Sequence, residues 1–487
     1  MAASLSYGSI IRTLGNLILV EAGLLAVPLI VCILYSESDW VGFAFAAAAA
    51  LAVGSVTEFF TRKYQSPLRS REGFLITAVI WVVFAFFGVI PFMLSSHPLG
   101  FCDAFFEVIS GLTTTGASII TDIDSQSHGI LFWRAFLQWI GGLGIILFML
   151  AALPELNKGN GISMFQAEAT GITHSKLHPR IRQTALSIWG VYSLLTIVSI
   201  VLLYAGPMNL FDSVCQTFAA VATGGFTTHN QGIAYWNSSY IYIILTVIMF
   251  VAGMNFILLY TAAKKGFKSI LHNDVFKAYA LIVMAVYIVM LANALAQGFG
   301  DNLADTLIYP LFHIVSAITS TGFGAPGAES WGTLALLFTF FLMYVGACAG
   351  STTGGMKIDR ILVMYRNTIN QIKKTISPKH TYLVRLNGVA IDRDLISRIT
   401  GFASLYLLLL FIITGIIAAY GYNLTDSAFI ATSCLGCNGL GYGATGAGGS
   451  FASLPDTLKY ILSLVMLIGR LELFAYIVLL LPSFWKR

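Results

Sequence analysis

Runs of about 20 apolar residues, the length that spans a bilayer core of roughly 30 Å, recur along the whole chain. They cover residues 15–35, 40–60, 74–94, 130–153, 184–206, 239–262, 278–296, 333–347, 399–420 and 457–481, the eighth being cut short by a glycine-rich stretch. Only 10% of the 487 residues are charged and 57% are apolar, with a mean hydropathy of +0.81. That is too little charge to coat a water-soluble body of this size, so the chain folds in lipid. A soluble nucleic-acid binder, a secreted disulfide scaffold and a disordered chain are excluded, and the net charge of +5 is a topology signal. The six cysteines, Cys32, Cys102, Cys215, Cys348, Cys434 and Cys437, form no paired framework. The first run lacks a small-residue cleavage site and reads as a retained helix rather than a signal peptide.

Lysine and arginine collect in alternate loops: Arg62, Lys63, Arg69 and Arg71; Lys158, Lys176, Arg180 and Arg182; Lys264, Lys265, Lys268 and Lys277; and the stretch from Lys357 to Arg398. These loops, and with them both termini, are expected on the cytoplasmic side. The opposite loops hold Glu37, Asp39, Asp103, Asp122, Asp124, Asp212, Asp301, Asp305, Glu329, Asp426 and Asp456. An acidic outer face would concentrate cations.

Each of the last four external connections contains an apolar piece of half-helix length. Asp103, Asp212 and Asp426 each stand 13 residues before a glycine, Gly116, Gly225 and Gly439. The third copy has Tyr309 at that offset before Gly322 but keeps Thr319-Ser-Thr-Gly322 where the first has Thr113-Thr-Thr-Gly116. The helices that follow also align, at residues 139–144, 250–255, 344–349 and 467–472. The pattern predicts four internal repeats in like orientation. Non-helical backbone at membrane depth must be buried in protein or line an aqueous cavity, so four such loops should meet around one axis. The expected fold is therefore an all-α integral membrane protein: an N-terminal helix pair (residues 1–72), then four parallel, pseudo-fourfold helix–pore-loop–helix repeats (73–182, 183–277, 278–398 and 399–487) around one central pore.

Dehydrating a monovalent cation in a low-dielectric medium is prohibitive unless oxygen ligands replace its water, and rings of backbone carbonyls do this. Glycine permits the positive φ and close approach required, while Thr and Ser add hydroxyl oxygens. Thr114-Thr115-Gly116, Thr223-Gly224-Gly225, Ser320-Thr321-Gly322 and Cys437-Asn438-Gly439 are the candidate filter strands. Glycines that merely permit close helix packing are the competing explanation, but four in register after apolar half-helices favour a filter.

The stretch 346–355, with Gly346, Gly350, Ser351, Thr352, Thr353, Gly354 and Gly355, breaks a membrane helix. A packing kink is one reading; its depth just inside the filter favours a mobile loop across the pore. Arg470 lies near the middle of an apolar run, a costly position that implies an aqueous cavity or bundle interior. Facing the pore, it would repel a monovalent cation about 5 Å away by roughly 3 kcal/mol at an effective dielectric of 20. Glu472 lies about 200° around the helix from Arg470 and is expected to pair elsewhere. Arg134 and Lys459 read as snorkelling residues.

Three other matches fail on context. Gly441-x-Gly443-x-x-Gly446 lacks a preceding strand, Cys434-x-x-Cys437 lacks a second ligand pair, and His174 with His178 lacks further ligands. No catalytic cluster, cofactor or nucleic-acid partner is expected.

With these motifs in place, the sequence resembles the Trk/Ktr/HKT superfamily of cation transporters over its whole length, most closely its TrkH branch. The resemblance implies potassium uptake across the bacterial cytoplasmic membrane, with one filter glycine per repeat; sodium-preferring relatives replace the first with serine. It also implies that 346–355 and Arg470 form the gate, that the chain is a homodimer, and that a TrkA-like ring of nucleotide-binding regulatory subunits docks on the cytoplasmic face. The fourth loop departs from the family pattern, because Cys434-Leu-Gly-Cys-Asn-Gly-Leu-Gly441 stands where relatives carry Cys-Leu-Asn-Asn-x-Gly-Pro-Gly. A less selective sodium/potassium translocator, a symporter coupled to protons or sodium, and a membrane enzyme or anchor are the alternatives.

Overall fold

A computed structural model describes residues 5–64, 68–144, 181–297, 303–446 and 450–485. The basic loop containing Lys158, Lys176 and Arg180, the pair His174 and His178, and Asp301 lie outside the described residues. Helices α1 (Tyr7–Leu34) and α2 (Trp40–Thr61) form an antiparallel hairpin. Glycine brings their backbones together: a Cβ on Gly15 would meet Thr57 at 2.8 Å, and one on Gly54 would meet Leu19 at 2.8 Å. Such small-residue contacts replace the hydrophobic drive that lipid cannot supply between helices.

The remainder repeats one plan. The long helices are α3 (Ser70–Gly88), α6 (Ile181–Tyr204), α10 (Asp274–Gln297) and α14 (Arg393–Ala419). Each leads to a half-length helix: α4 (Phe101–Leu112), α7 (Leu210–Val221), α11 (Leu303–Ile318) or α15 (Leu424–Leu435). After a glycine-bearing loop come the returning helices α5 (His128–Gly142), α8 (Ser239–Ala252), α12 (Gly332–Val345) and α16 (Asp456–Arg470). Every half-helix packs on the returning helix of its own segment and on that of the preceding one: α7 on α5, α11 on α8, α15 on α12, and α4 on α16. The contacts therefore close on themselves, the first segment touching the fourth.

Among the described residues six helices are long and apolar enough to cross a bilayer, or seven counting the bent pair formed by α8 and α9 (Phe256–Lys265). Here the structure corrects the sequence. The runs 239–262 and 457–481 are not continuous helices: α8 and α9 meet at 95°. Likewise α16 stops at Arg470, and α17 (Phe474–Leu480) starts only after Glu472 and Leu473 adopt φ of +51° and +63°. The first returning helix ends at Gly142, followed by Gly144 at φ +82°. All four returning helices thus end where the four six-residue stretches align, not the third alone. Small residues in three of the breaks remove the steric cost, and hydropathy does not register a turn whose flanks are equally apolar.

Arg134 and Lys459 do not snorkel. Both are buried, Arg134 against Glu107 at 2.8 Å and Lys459 against Asp103 at 2.6 Å, because a cation that reaches a carboxylate inside the protein has no need of the interface. Several of the carboxylates expected on the outer face are likewise engaged. Glu37, in the α1–α2 connection, accepts from the His128 and Gly129 backbone N–H groups at 2.7 and 3.0 Å, capping α5 and clamping the N-terminal hairpin to the first segment. Asp39 accepts from the Ser127 hydroxyl at 2.5 Å. Removing the clamp in Glu37→Ala is expected to lower stability by about 1–2 kcal/mol. Thermal unfolding of the detergent-solubilised protein measures this, and an unchanged transition would show that the hairpin is held by lipid-like packing alone.

Candidate functional site

Each half-helix ends in the same backbone. A non-glycine residue takes left-handed φ, Thr114 at +55°, Thr223 at +54°, Ser320 at +53° and Cys437 at +49°. Two residues on stands a positive-φ glycine, Gly116 at +80°, Gly225 at +78°, Gly322 at +84° and Gly439 at +73°. The residue between them donates its N–H five positions back: Thr115 to Ser110 and Gly224 to Ala219 at 2.8 Å, Thr321 to Ser316 and Asn438 to Ser433 at 2.9 Å. This is the Schellman helix ending, which satisfies the last carbonyls of the helix. Left-handed φ costs an L-residue about 1–2 kcal/mol, so four copies persist only where the surroundings fix them.

The surroundings are one another. A Cβ on Gly116 would lie 2.0 Å from the Gly224 carbonyl oxygen; on Gly225, 1.9 Å from that of Thr321; on Gly322, 2.1 Å from that of Asn438; on Gly439, 2.1 Å from that of Thr115. Each glycine abuts the carbonyl just before the next glycine, and the fourth returns to the first. The twelve residues singled out in the sequence lie together at this ring, and most are fully buried. Thr113 and Thr115, and likewise Thr319 and Thr321, link hydroxyls at 2.8 Å. The Asn438 side chain donates to the Ala317 carbonyl at 2.7 Å, tying the divergent fourth loop to the third.

The stretch 346–355 lies directly against this ring. The Gly354 N–H donates to the Ser320 hydroxyl at 2.7 Å, Thr223 donates to the Thr352 hydroxyl at 3.1 Å, and a Cβ on Gly354 would meet the Gly436 carbonyl at 2.0 Å. Gly346, Gly350 and Gly355 all have positive φ, at +68°, +76° and +76°. Ser351 and Thr353 share a hydroxyl hydrogen bond of 2.8 Å. The second segment's break holds the other side: Asn255 donates to the Ala349 carbonyl at 2.7 Å, and Phe256 N–H to the Gly350 carbonyl at 3.0 Å. Arg470 spans the centre, donating to the Thr352 carbonyl at 2.7 Å and to the Gly141 and Gly142 carbonyls at 2.5 and 2.7 Å. It thereby connects the third segment's loop, the fourth segment's break and the end of α5.

Sequence reasoning missed four participants. Lys357, counted there among cytoplasmic cations, is buried and donates to the Thr353 carbonyl at 2.6 Å. Arg360, in the first turn of α13 (Ile358–Ile376), pairs with Glu472, which does pair away from Arg470, but because α16 ends at Arg470 and not because of a helical angle. Gln138 donates to the Gly224 carbonyl at 2.7 Å, and Glu107 engages Arg134 behind the first loop. The available signal was a polar residue inside an apolar run, which marks bundle-facing positions by default. In the loops beyond the half-helices His229 pairs with Asp124 at 2.8 Å, and the Asn230 amide, donating to Asp122, holds that carboxyl below the usual carboxylate range.

The closed contact order and the long apolar helices define a multi-pass membrane protein organised around one central cluster of loops. A family model described as TrkH, cation transport protein, matches residues 42–487. The Trk system potassium uptake protein TrkH of Salmonella typhimurium is 32% identical over 483 residues, 99% of each chain. That of Vibrio parahaemolyticus is 34% identical over 488 residues, 99% of this chain and 100% of its own. The crystal structure of the potassium transporter TrkH from Vibrio parahaemolyticus matches with a TM-score of 0.90 at 31% identity, over 99% of this chain and 100% of that one. This chain belongs to the TrkH family of cation transport proteins, a transporter family and not an enzyme family.

If the four loops depend on mutual contact, Gly225→Ala must displace the Thr321 carbonyl and strain the backbone. A loss of about 2 kcal/mol or more in thermal stability is expected. Wild-type stability would mean that the second and third loops do not abut.

Proposed function

We propose that the chain is a channel-like potassium uptake protein of the bacterial cytoplasmic membrane, with four pseudo-fourfold repeats enclosing one pore. The glycine loops form its carbonyl filter, and residues 346–355 with Arg470 form its gate. The observation that carries this reading is the cyclic approach of each glycine to the carbonyl of the next loop, since a closed quartet of buried backbone oxygens is what replaces the water of an alkali cation. The names of the relatives, Trk system potassium uptake proteins, support potassium as substrate. Transport needs no cofactor on this reading: a membrane potential contributes about 2.3 kcal/mol per charge per 100 mV to cation entry.

On this reading a closed gate is supported by the Arg470 guanidinium, which is fixed to three carbonyls beside the ring. The cytoplasmic side carries α13 and a short hairpin of β1 (Arg385–Leu386) and β2 (Val389–Ala390), tied to the bundle by Arg366 and Asp274 at 2.8 Å. This basic face would dock a TrkA-like nucleotide-binding regulatory subunit, with the membrane chain a homodimer and both termini cytoplasmic. A second reading, uptake coupled to protons, draws on Glu21, which is 1% exposed with neither carboxylate oxygen hydrogen-bonded.

Rubidium uptake into proteoliposomes with competing potassium, sodium and lithium tests the function. Potassium should compete best, and uptake should persist without a proton or sodium gradient; dependence on either gradient would establish the coupled reading, and no cation flux from folded protein would end both. Arg470→Ala should raise the flux about tenfold or more, since each 1.4 kcal/mol removed from the barrier is tenfold. An unaltered or lower flux would remove Arg470 from the gate. Gly116→Ser, whose Cβ must push the Gly224 carbonyl aside, should admit more sodium, and an unaltered potassium-to-sodium ratio would place the first loop outside the filter.

A further inference from the structure

Behind the first two loops lies an ion pair sealed from solvent. Arg134 is 1% exposed and Glu107 0%, with Nε and Oε1 2.8 Å apart. Glu107 sits nine residues before Gly116; Gln216, His313 and Ile430 hold that offset before Gly225, Gly322 and Gly439, so a carboxylate occurs there in the first segment alone.

The rest of the pair's hydrogen-bonding capacity goes to the chain just beyond the two glycines. Glu107 accepts from the Ile119 backbone N–H at 2.9 Å and from the Ser118 hydroxyl at 2.9 and 3.2 Å. Arg134 donates to the Ser118 hydroxyl at 3.1 Å and to the Thr227 carbonyl at 3.0 Å, and its guanidinium lies 4.2 Å from the centre of the Phe226 ring. One turn further along α5, Gln138 donates to the Gly224 carbonyl at 2.7 Å and accepts from the Phe226 N–H at 3.2 Å. Helix α5 thus grips the second loop on both sides of Gly225, while Glu107 couples that grip to the first loop.

Stability alone does not explain this construction, because well-packed apolar residues in place of a buried ion pair are often neutral or stabilising. What apolar residues do not provide is a fixed spacing between two backbones, which the rigid, multiply bonded fork of arginine does. A ring that can contract accommodates sodium, the smaller ion; a braced ring does not.

We propose that Glu107 and Arg134 are positioning residues for cation discrimination, bracing the first and second loops against contraction around sodium. The inference rests on the filter reading above. The test is rubidium uptake with competing potassium and sodium in proteoliposomes of the full chain, for wild type, the neutral double variant Glu107→Gln/Arg134→Met, and Arg134→Lys. Thermal unfolding is measured alongside. The double variant leaves no unpaired buried charge, so its stability should match or exceed wild type while its preference for potassium over sodium falls about tenfold, or about 1.4 kcal/mol. Arg134→Lys keeps the charge pair but loses the fork to Thr227, and a smaller fall is expected, readable even if the double variant does not fold. Wild-type preference in either folded variant overturns the brace alone. A wild type with no preference for potassium overturns the filter reading and the brace with it.

Discussion

Irregular backbone at membrane depth persists only where its N–H and carbonyl groups find partners inside the protein. The architecture answers that constraint locally and then globally. Locally, each half-helix closes with a Schellman ending that folds its last carbonyls back onto Thr115, Gly224, Thr321 and Asn438. Globally, each loop rests on the next, so none faces lipid, and the left-handed residues are held by neighbours that are themselves held. The cycle explains why the N-terminal hairpin lies outside the repeats, fastened by Glu37, while the four segments depend on each other.

Charge at membrane depth serves as cross-linking. Lys459 of the fourth segment pairs with Asp103 of the first, and Arg360 of the third with Glu472 of the fourth. Arg134 joins Glu107 within the first segment and then reaches Thr227 of the second. Breaking a buried pair by removing one partner costs about 3–5 kcal/mol, so such contacts fix which segments stand side by side even where they add little net stability. Of the carboxylates that look from sequence like a cation-attracting rim, Asp103 is committed to such a joint, while Glu37, Asp39, Asp122 and Asp124 are engaged by other hydrogen bonds and ion pairs.

The stretch 346–355 is held by three segments at once, through Ser320, Asn255 and Arg470. Opening the proposed gate therefore requires several hydrogen bonds to break together, the condition for a two-position element rather than a gradual one. Arg360 ties the start of helix α13 to Glu472, two residues from Arg470, so displacement of that helix is felt at the proposed gate through one ion pair.

The membrane location, the four half-helices each followed by a glycine-bearing loop, the positions of Gly116, Gly225, Gly322 and Gly439, and a charge at Arg470 within an apolar run were legible in the sequence. Hydropathy period, a glycine offset and a charge in an apolar run are local signals that survive translation into one dimension. Tertiary structure alone decided which loop touches which, that the returning helices of the second and fourth segments also break, and that Arg134 and Lys459 turn inward. Those outcomes depend on partners far away in the chain: Asp103 lies in a different segment from Lys459, and the Gly116 Cα is shaped by the Gly224 carbonyl, beyond α5, α6 and α7. Glycine and arginine announce that something unusual is needed at a position, but the free energy that makes it tolerable belongs to contacts that exist only once the chain has closed on itself.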